Sequence, residues 1–371
     1  MTLTILSVTC TVLALFSPVA AIAVPIVPSG TNVSIGSDRH VNQARTIWVD
    51  GDRETEWPAD ERIRPWGKPL HVIPYCFATT ESKDKLQFHI WQAIQIWMKA
   101  LGGDPWEQDP QVSGAGHSVT FQWVTMNCYQ DDYENQHNPG TWNIEPGWEH
   151  AVAIHLVSSG TSAKPGYKPK DKIITGPEAG RHHIFLEEIP RVEGDPKYLT
   201  PDELRAYTHE VGHVLGLGHA HQHPNAPVKI RCENLPNMDW VLDYALQKDE
   251  YKKYIDMPDG RQQLQDYLCT PENYYKAVFA GCPFTEYITN RPGMTPIGPY
   301  DPDSIMHYPT WIHWKDDEGN YHDEEWKSPM EFDPSQATMT RLLPDGSEEP
   351  FRQADVPSKN DIAAVKSHYP A

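Results

Sequence analysis

The stretch HEVGHVLGLGH, residues 209–219, decides how this sequence is interpreted. Three histidines and one glutamate lie within eleven residues, and a helix would place His209 and His213, four positions apart, on the same face. Two imidazoles in that arrangement can bind one zinc ion at about 2.0–2.1 Å each. The pattern therefore predicts a metal site at the end of a helix, in preference to a core helix that carries incidental histidines.

The other residues of the stretch suit the same site. Glu210 is rotated by about 100° from His209 around the helix axis, so it can reach a water at the metal without binding the ion itself. Gly216 can end the helix because glycine adopts positive φ without a Cβ penalty, and His219 can then return to the metal. We expect His209, His213 and His219 to bind one catalytic Zn²⁺, with Glu210 as the general base.

His221 and His223 follow directly and spell His-x-His-x-His with His219. They could replace a ligand or help to load the metal, or they could be polar residues of a loop. Three protein ligands and a water already complete a catalytic zinc shell, so the loop interpretation is favoured.

Periodic residues predict the elements that precede the motif. A helical repeat runs from Leu86 to Leu101 and ends at Gly102. Thr200 and Glu203 form a capping box around Pro201, which predicts that the motif helix starts at about residue 201. Strands are indicated by apolar runs at 119–124, 151–157 and 183–186, and the stretch 160–180 has room for an edge strand.

Two further regions lie C-terminal to the motif. Residues 232–300 are expected to form an irregular insertion with helical pieces, one of them from Met238 to Tyr254. Ser358 and Asp361 again form a capping box, which predicts a short final helix. The sequence shows no internal repeat and no second domain.

The amino-terminal residues indicate export. An apolar run is followed by Ala21-Ile22-Ala23, the small residues that a signal peptidase prefers, so residues 1–23 are assigned as a signal peptide. The run is too short and too interrupted to favour a membrane anchor. Residues 24–68 are polar and aperiodic, and we assign them as a leader or propeptide. The glycosylation sequon at Asn32 fits a secreted protein.

Charge and cysteine content narrow the partners and the compartment. The net charge is −20 and no dense stripe of lysine or arginine is present, which argues against a nucleic-acid partner. The chain has six cysteines, and Cys10 would leave with the signal segment. An odd number then remains, so at least one cysteine cannot pair within the chain. Spacing alone allows Cys269 to pair with Cys282. Such pairing would suit an oxidising, extracellular compartment.

The extended histidine motif resembles that of the metzincin proteases, and further motifs narrow the resemblance. Asp303-Ser304-Ile305-Met306-His307-Tyr308 is similar to the astacin Met-turn, Ser-x-Met-His-Tyr. Val72-Ile73-Pro74-Tyr75 resembles the start of the astacin catalytic core, and Ser358–Ile362 with Tyr369-Pro370 resembles its closing helix. The chain is thus similar to astacin-like zinc metalloproteases over about residues 64–371.

The resemblance implies a fold and a set of roles. The fold would be the α+β zincin fold, with a mixed twisted sheet, an antiparallel edge strand, an active-site helix, a C-terminal helix and a cleft between two subdomains. Residues 69–371 would be the catalytic domain, with the insertion near 232–300. Met306 would form an apolar floor beneath the metal, and Tyr308 would move to hydrogen-bond the tetrahedral intermediate. The activity would be that of a secreted zinc endopeptidase acting on protein or peptide substrates, without a membrane anchor.

Several positions depart from the family pattern. Ala220 stands where astacins carry a Glu that pairs with the freed N-terminus, and Leu217 stands where they carry Phe. The cysteine positions do not reproduce the usual two bridges. The segment Val49-Asp50-Gly51-Asp52, with Val in place of Phe, partly matches the astacin propeptide motif Phe-x-Gly-Asp, which would present Asp52 to zinc, but an ordinary acidic turn is the favoured interpretation.

Two other functions are compatible with the motifs. A secreted zinc-binding protein without catalysis would be expected to lack the base, yet Glu210 is present. A protease of another metzincin family is disfavoured by the Ser-Ile-Met-His-Tyr turn.

Overall fold

A six-stranded mixed sheet forms the framework that carries the metal motif. The structure, a computed structural model, describes residues 47–49, 56–60, 69–106, 116–144, 148–158, 160–169, 179–190, 198–235, 237–289, 291, 294–296, 299–315, 321–325 and 332–371. All of these residues lie in one unit, Gln43–Ala371. The predicted signal peptide at 1–23, the sequon at Asn32 and the segment 50–52 lie outside the described residues.

The central strands of this sheet run parallel. They are β3 (Leu70–Phe77), β4 (Val119–Trp123), β5 (Val152–Val157) and β7 (His183–Glu187); β3 pairs with β4 and β5, and β5 pairs with β7. Most residues of β3 and β5 are buried, as their nearly continuous apolar sequences require.

Two short strands run antiparallel to this core. They are β2 (Ala59–Asp60), paired with β3, and β6 (Ser162–Ala163), paired with β7 at one edge of the sheet. The expectations of an α+β fold, a mixed sheet and an antiparallel edge strand within residues 160–180 are therefore confirmed.

Helix α1 (Thr80–Leu101) packs on the sheet and confirms the predicted helical repeat. The side chain of Thr79 accepts the N–H of Ser82 and caps its start, and Gly102 ends it at a φ of 102°. The indole N–H of Trp97 donates to the carbonyl of Thr208 at 2.8 Å, which joins α1 to the motif helix. None of the helices in the described part of the chain has the length and apolarity that a bilayer crossing requires.

The motif helix α2 (Arg205–Val214) begins four residues later than the sequence predicts. The capping box of Thr200 and Glu203 does form, because each residue's side chain accepts the other's backbone N–H. The N–H of Arg205 then donates to Asp202, three residues back, so residues 201–204 form a turn and not a regular α-helix.

The insertion forms a second hydrophobic cluster of helices. Its helices are α3 (Met238–Leu246), α4 (Gly260–Leu268), α5 (Tyr274–Ala280) and α6 (Phe284–Tyr287). The predicted helix from Met238 to Tyr254 is wrong, because α3 ends at Leu246. The next N–H groups bond to carbonyls three residues back, and the chain turns so that Tyr251 and Tyr254 enter the cluster.

Two disulfide bonds join four of the five described cysteines. Cys76 pairs with Cys128 and Cys232 pairs with Cys269, at Cα–Cα distances of 5.4 and 6.2 Å. The suggested bridge between Cys269 and Cys282 is therefore wrong, and Cys282 is a free, buried thiol. Spacing along the chain does not reveal which cysteines the folded cluster brings within bonding range.

The remaining strands form smaller sheets around this framework. β1 (Ile47–Val49) pairs with β9 (Met294–Pro296), and all the smaller sheets are antiparallel. The others are β8 (Val228–Ile230), β10 (Trp311–Lys315), β11 (Tyr321–Glu325), β12 (Met339–Leu342) and β13 (Glu348–Glu349).

The final helix α7 (Lys359–His368) carries the predicted capping box at Ser358 and Asp361. The carboxylate of Asp361 is fully buried and also accepts the hydroxyl of Ser304 at 2.6 Å and the N–H of Ile305 at 3.0 Å. One side chain therefore caps α7 and holds the turn that contains Met306.

We expect the substitution Asp361→Ala to lower the free energy of unfolding by at least about 3 kcal/mol. It removes the acceptor of three N–H or O–H donors, and each buried donor left without a partner costs about 1–3 kcal/mol. Chemical denaturation of the full chain measures the change. Asp333, an exposed cap that accepts from Ser335, is the matched control, and Asp333→Ala should cost about 1 kcal/mol or less. Equal costs for the two variants would contradict the role of Asp361.

Candidate metal centre

The structure brings His209, His213 and His219 together. Helix α2 carries the first two on one face, and the chain then reverses to return the third. One ligand atom from each imidazole lies within 4.8 Å of the other two, and all three residues are buried. The Nε2 atoms of His213 and His219 are 3.0 Å apart. Their roles as ligands stay a prediction, but the geometry allows one ion to contact all three.

The reversal after α2 depends on Gly216. Its φ is 106°, a value that favours glycine. The N–H of Gly216 donates to His213 at 2.8 Å and the N–H of Leu217 donates to Gly212 at 3.1 Å. This pair of bonds is a Schellman motif. The prediction that Gly216 ends the helix is confirmed.

Two of the imidazoles are oriented by backbone carbonyls. The Nδ1 atoms of His209 and His213 lie 2.8 Å from the carbonyl oxygens of Ile305 and Leu217. Because a carbonyl only accepts, Nδ1 must carry the proton in both rings, and Nε2 presents a lone pair. Metal-binding histidines in proteins usually have such a partner on the second nitrogen.

Burial keeps these rings neutral. It lowers the pKa of His209 to about 4 and that of His213 to about 3, and it lowers the pKa of His219 well below the usual value. Neutral imidazole is the form that binds zinc. Three neutral imidazoles that converge are therefore a donor set that fits Zn²⁺.

Met306 lies in a tight turn that packs against α2 at Gly212. Its N–H donates to the hydroxyl of Ser304 at 3.0 Å, and its carbonyl accepts the N–H of Ala220 at 2.9 Å. A Cβ placed on Gly212 would lie 2.4 Å from Met306 Sδ and 3.0 Å from Trp97 Cζ2. Gly212 is thus required for the close approach of Met306 to α2, a role that the sequence analysis missed because it depends on a residue 94 positions away (306 − 212).

Glu210 lies beside the three histidines with an uncommitted oxygen. Its side chain is buried, and Oε2 has no hydrogen-bond partner among the described residues. Burial raises the pKa of this carboxyl to about 8. A cation held by the neighbouring imidazoles would lower that pKa and favour the carboxylate.

Tyr308, two residues after Met306, lies beside two of the three histidines. Its ring centroid lies 4.2 Å from that of His219 and 6.1 Å from that of His209. Burial raises the pKa of its phenol well above the usual value, so the hydroxyl keeps its proton and can serve as a donor.

His221 and His223, favoured by the sequence as polar loop residues and not as ligands, lie directly after His219. Both are buried, and His221 lies in a 3₁₀ turn, Ala220–Gln222. The Nε2 of His221 donates to the carbonyl of Glu286 at 2.7 Å, so this imidazole fastens the insertion to the motif. Among the described residues, neither belongs to the group that could hold a metal ion.

The insertion also brings a cation to the site. Arg291 donates to Glu286 at 2.9 Å, and its charge lowers the pKa of His213 and His219 in addition to burial and the other histidines. Residues so far from the motif in sequence, within a region without periodicity, gave no signal that they would lie near it.

No protein-family model matches the chain, and no curated protein matches it. Solved structures do align with it. Myroilysin is 16% identical, with a TM-score of 0.40 over 88% of this chain and 98% of its own. High choriolytic enzyme 1, a hatching enzyme zinc-protease from Oryzias latipes, is 17% identical, with a TM-score of 0.34 over 84% of this chain and 92% of its own.

We expect Gly212→Ala to destabilise the protein by about 1–3 kcal/mol, because the new methyl group would overlap Met306 Sδ. The cost should shrink in a Met306→Ala background, where that atom is absent. A double-mutant cycle of unfolding free energies measures the coupling between the two positions. If the two substitutions were additive, the close approach would not constrain Met306.

Proposed function

We propose that this protein is a secreted, astacin-like zinc endopeptidase. His209, His213 and His219 would be the ligands, and Glu210 would be the general base. The observation that carries the proposal is the convergence of three buried, neutral imidazoles to within 4.8 Å, beside a buried carboxyl.

The hydrogen bonds of the histidines indicate which of their nitrogen atoms would bind the metal. His209 and His213 would bind through Nε2, because their Nδ1 protons are committed to Ile305 and Leu217. Bound Zn²⁺ supplies Lewis acidity, which lowers the pKa of a water from 15.7 toward about 7. The hydrogen bonds from Nδ1 to the carbonyls of Ile305 and Leu217 hold each ring in one tautomer and one orientation.

Glu210 would move the proton. As a carboxylate it accepts the proton of the attacking water and then passes it to the leaving amine. Its buried position keeps the carboxylate away from bulk water, and its Oε2, which has no hydrogen-bond partner within the described part of the chain, is available for this exchange.

Tyr308 would stabilise the negative charge that develops on the substrate carbonyl oxygen. Its hydroxyl keeps its proton at neutral pH, since burial raises its pKa. A single donor aimed at such an oxyanion is typically worth about 2.7–4 kcal/mol.

The substrate would bind in an extended conformation along the edge strand β6. Gly166, three residues beyond this strand, donates its N–H to the carbonyl of His213 at 2.8 Å. This bond fixes the segment after β6 against the zinc helix, which supports the placement of a peptide near the histidines.

Secretion is supported by two features. The signal-like segment at 1–23 precedes a chain in which four cysteines pair as two disulfide bonds. Disulfides persist in oxidising compartments such as the extracellular space.

A peptide-library digest with and without a zinc chelator tests the proposed function. We expect internal peptide bonds to be cut, the cutting to stop with the chelator, and added zinc to restore it. A well-folded protein that binds zinc but cuts no peptide would instead support the non-catalytic alternative.

Glu210→Gln should keep one zinc per chain but lower kcat at least about 100-fold, because general acid–base catalysis contributes about 10²–10⁴-fold. Metal analysis and peptide hydrolysis measure the two effects. The exposed Glu233→Gln is the control and should leave both unchanged. Near-normal turnover in Glu210→Gln would remove Glu210 from the mechanism.

Tyr308→Phe should lower kcat by about 100-fold with little change in KM, because the hydroxyl would act on the transition state. Tyr198→Phe, at an exposed tyrosine, should change neither constant. A change confined to KM would show that Tyr308 binds substrate without stabilising the oxyanion.

A further inference from the structure

Trp57 lies in the segment that the sequence analysis assigns to the leader, yet its side chain is only 1% exposed. It belongs to the hydrophobic cluster formed by the sheet, α1, α2 and α7. Two residues later, β2 pairs with β3 and continues the main sheet. The segment Glu56–Asp60 is therefore part of the unit that carries the metal motif.

The C-terminal end of α2 explains why a tryptophan is needed there. The last carbonyls of a helix have no partner within the helix, and a buried helix end must find other donors. The two Schellman hydrogen bonds satisfy the backbone carbonyls of Gly212 and His213. The carbonyl of Val214, the next residue, accepts a hydrogen bond from the indole N–H of Trp57 at 2.8 Å.

The carbonyl of Leu215 is satisfied through the same segment. It accepts the hydroxyl of Tyr369 at 3.3 Å, and that hydroxyl accepts the backbone N–H of Trp57, also at 3.3 Å. The side chain and the main chain of Trp57 thus hold two consecutive carbonyls, one directly and one through Tyr369. All of these groups are buried, so water does not replace them.

Other contacts fix the segment around Trp57. Its ring lies 5.4 Å from that of Tyr167, the residue after Gly166, and Gly166 donates to the carbonyl of His213. Its own carbonyl accepts Nδ1 of His71. Glu56 pairs with Nδ1 of His368 in α7 at 2.8 Å. The turn between His213 and His219 is therefore held from both sides by contacts that converge on Trp57.

We propose that Trp57 is a positioning residue for the zinc site and that Glu56–Asp60 is retained in the active protein. The inference rests on the proposed function. Trp57 fixes the carbonyls of Val214 and Leu215, and through them the reversal that returns His219 to His209 and His213. Any proteolytic maturation that yields an active enzyme then cuts before Glu56, and only more amino-terminal residues are removable.

Trp57→Phe in the full chain tests this role, because it removes the indole N–H and keeps an aromatic ring. We expect zinc affinity, measured by competition with a chelator, to fall about tenfold, the scale found for outer partners of metal ligands. We also expect kcat to fall with KM unchanged. The amides of Gly216 and Leu217 should exchange hydrogen about tenfold faster, and Tyr369→Phe should change them in the same direction.

Asn234→Ala is the matched control. The side chain of Asn234, itself buried, also donates to backbone carbonyls, those of Ser335 and Ala337, but it lies beside the second cluster. This variant should lower stability while zinc affinity and the exchange of Gly216 and Leu217 stay as in the wild type. An equal effect of both variants on zinc affinity would reduce Trp57 to a general stabilising residue.

The first residue of the active form tests whether Glu56–Asp60 is retained. This residue, read by intact mass or terminal sequencing, should be Glu56 or an earlier residue. An active form that begins after Trp57, or unchanged zinc affinity and exchange in Trp57→Phe, would overturn the inference. A wild-type protein that binds no zinc and hydrolyses no peptide would contradict the proposed function instead. Amide hydrogen exchange at Gly216 and Leu217 would still test whether Trp57 holds the chain reversal.

Discussion

The convergence of the three histidines depends on one constraint, which is that helix α2 ends inside the protein and the chain must reverse there. A helix end carries carbonyls without partners, and burial makes each unpaired group costly. Here the groups are satisfied by Gly216 and Leu217 within the chain reversal and by Trp57 and Tyr369 from distant parts of the sequence. The three histidines can converge only because this reversal is fixed, so residues that never approach a metal set its geometry.

A second buried polar group holds the other side of the site. Asp361 caps the final helix and at the same time accepts Ser304 and Ile305, while the carbonyl of Ile305 accepts Nδ1 of His209. The orientation of the His209 ring is thus connected, through Ile305 and Asp361, to the start of α7. Gly212 then allows Met306 to lie against α2. The capping box and the Met306 turn, which look like separate sequence motifs, are one structural unit.

The sequence predicted what depends on local patterns. Helical spacing predicted α1, apolar runs predicted β4, β5 and β7, and the position of Gly216 predicted the end of α2. It missed what depends on distant neighbours. Cys269 pairs with Cys232 and not Cys282, His221 is buried because Glu286 offers its carbonyl, and Trp57 joins the core through Val214. Such contacts link residues tens to hundreds of positions apart, and no periodicity records them.

X-ray absorption spectroscopy at the zinc edge of the purified protein tests the central claim most directly. We predict one zinc per chain with only nitrogen and oxygen neighbours, including three imidazoles at about 2.0–2.1 Å. Absence of stoichiometric zinc in folded protein would contradict the account. So would a sulfur neighbour near 2.3 Å, because it would place the metal at a cysteine such as Cys282 and not among His209, His213 and His219.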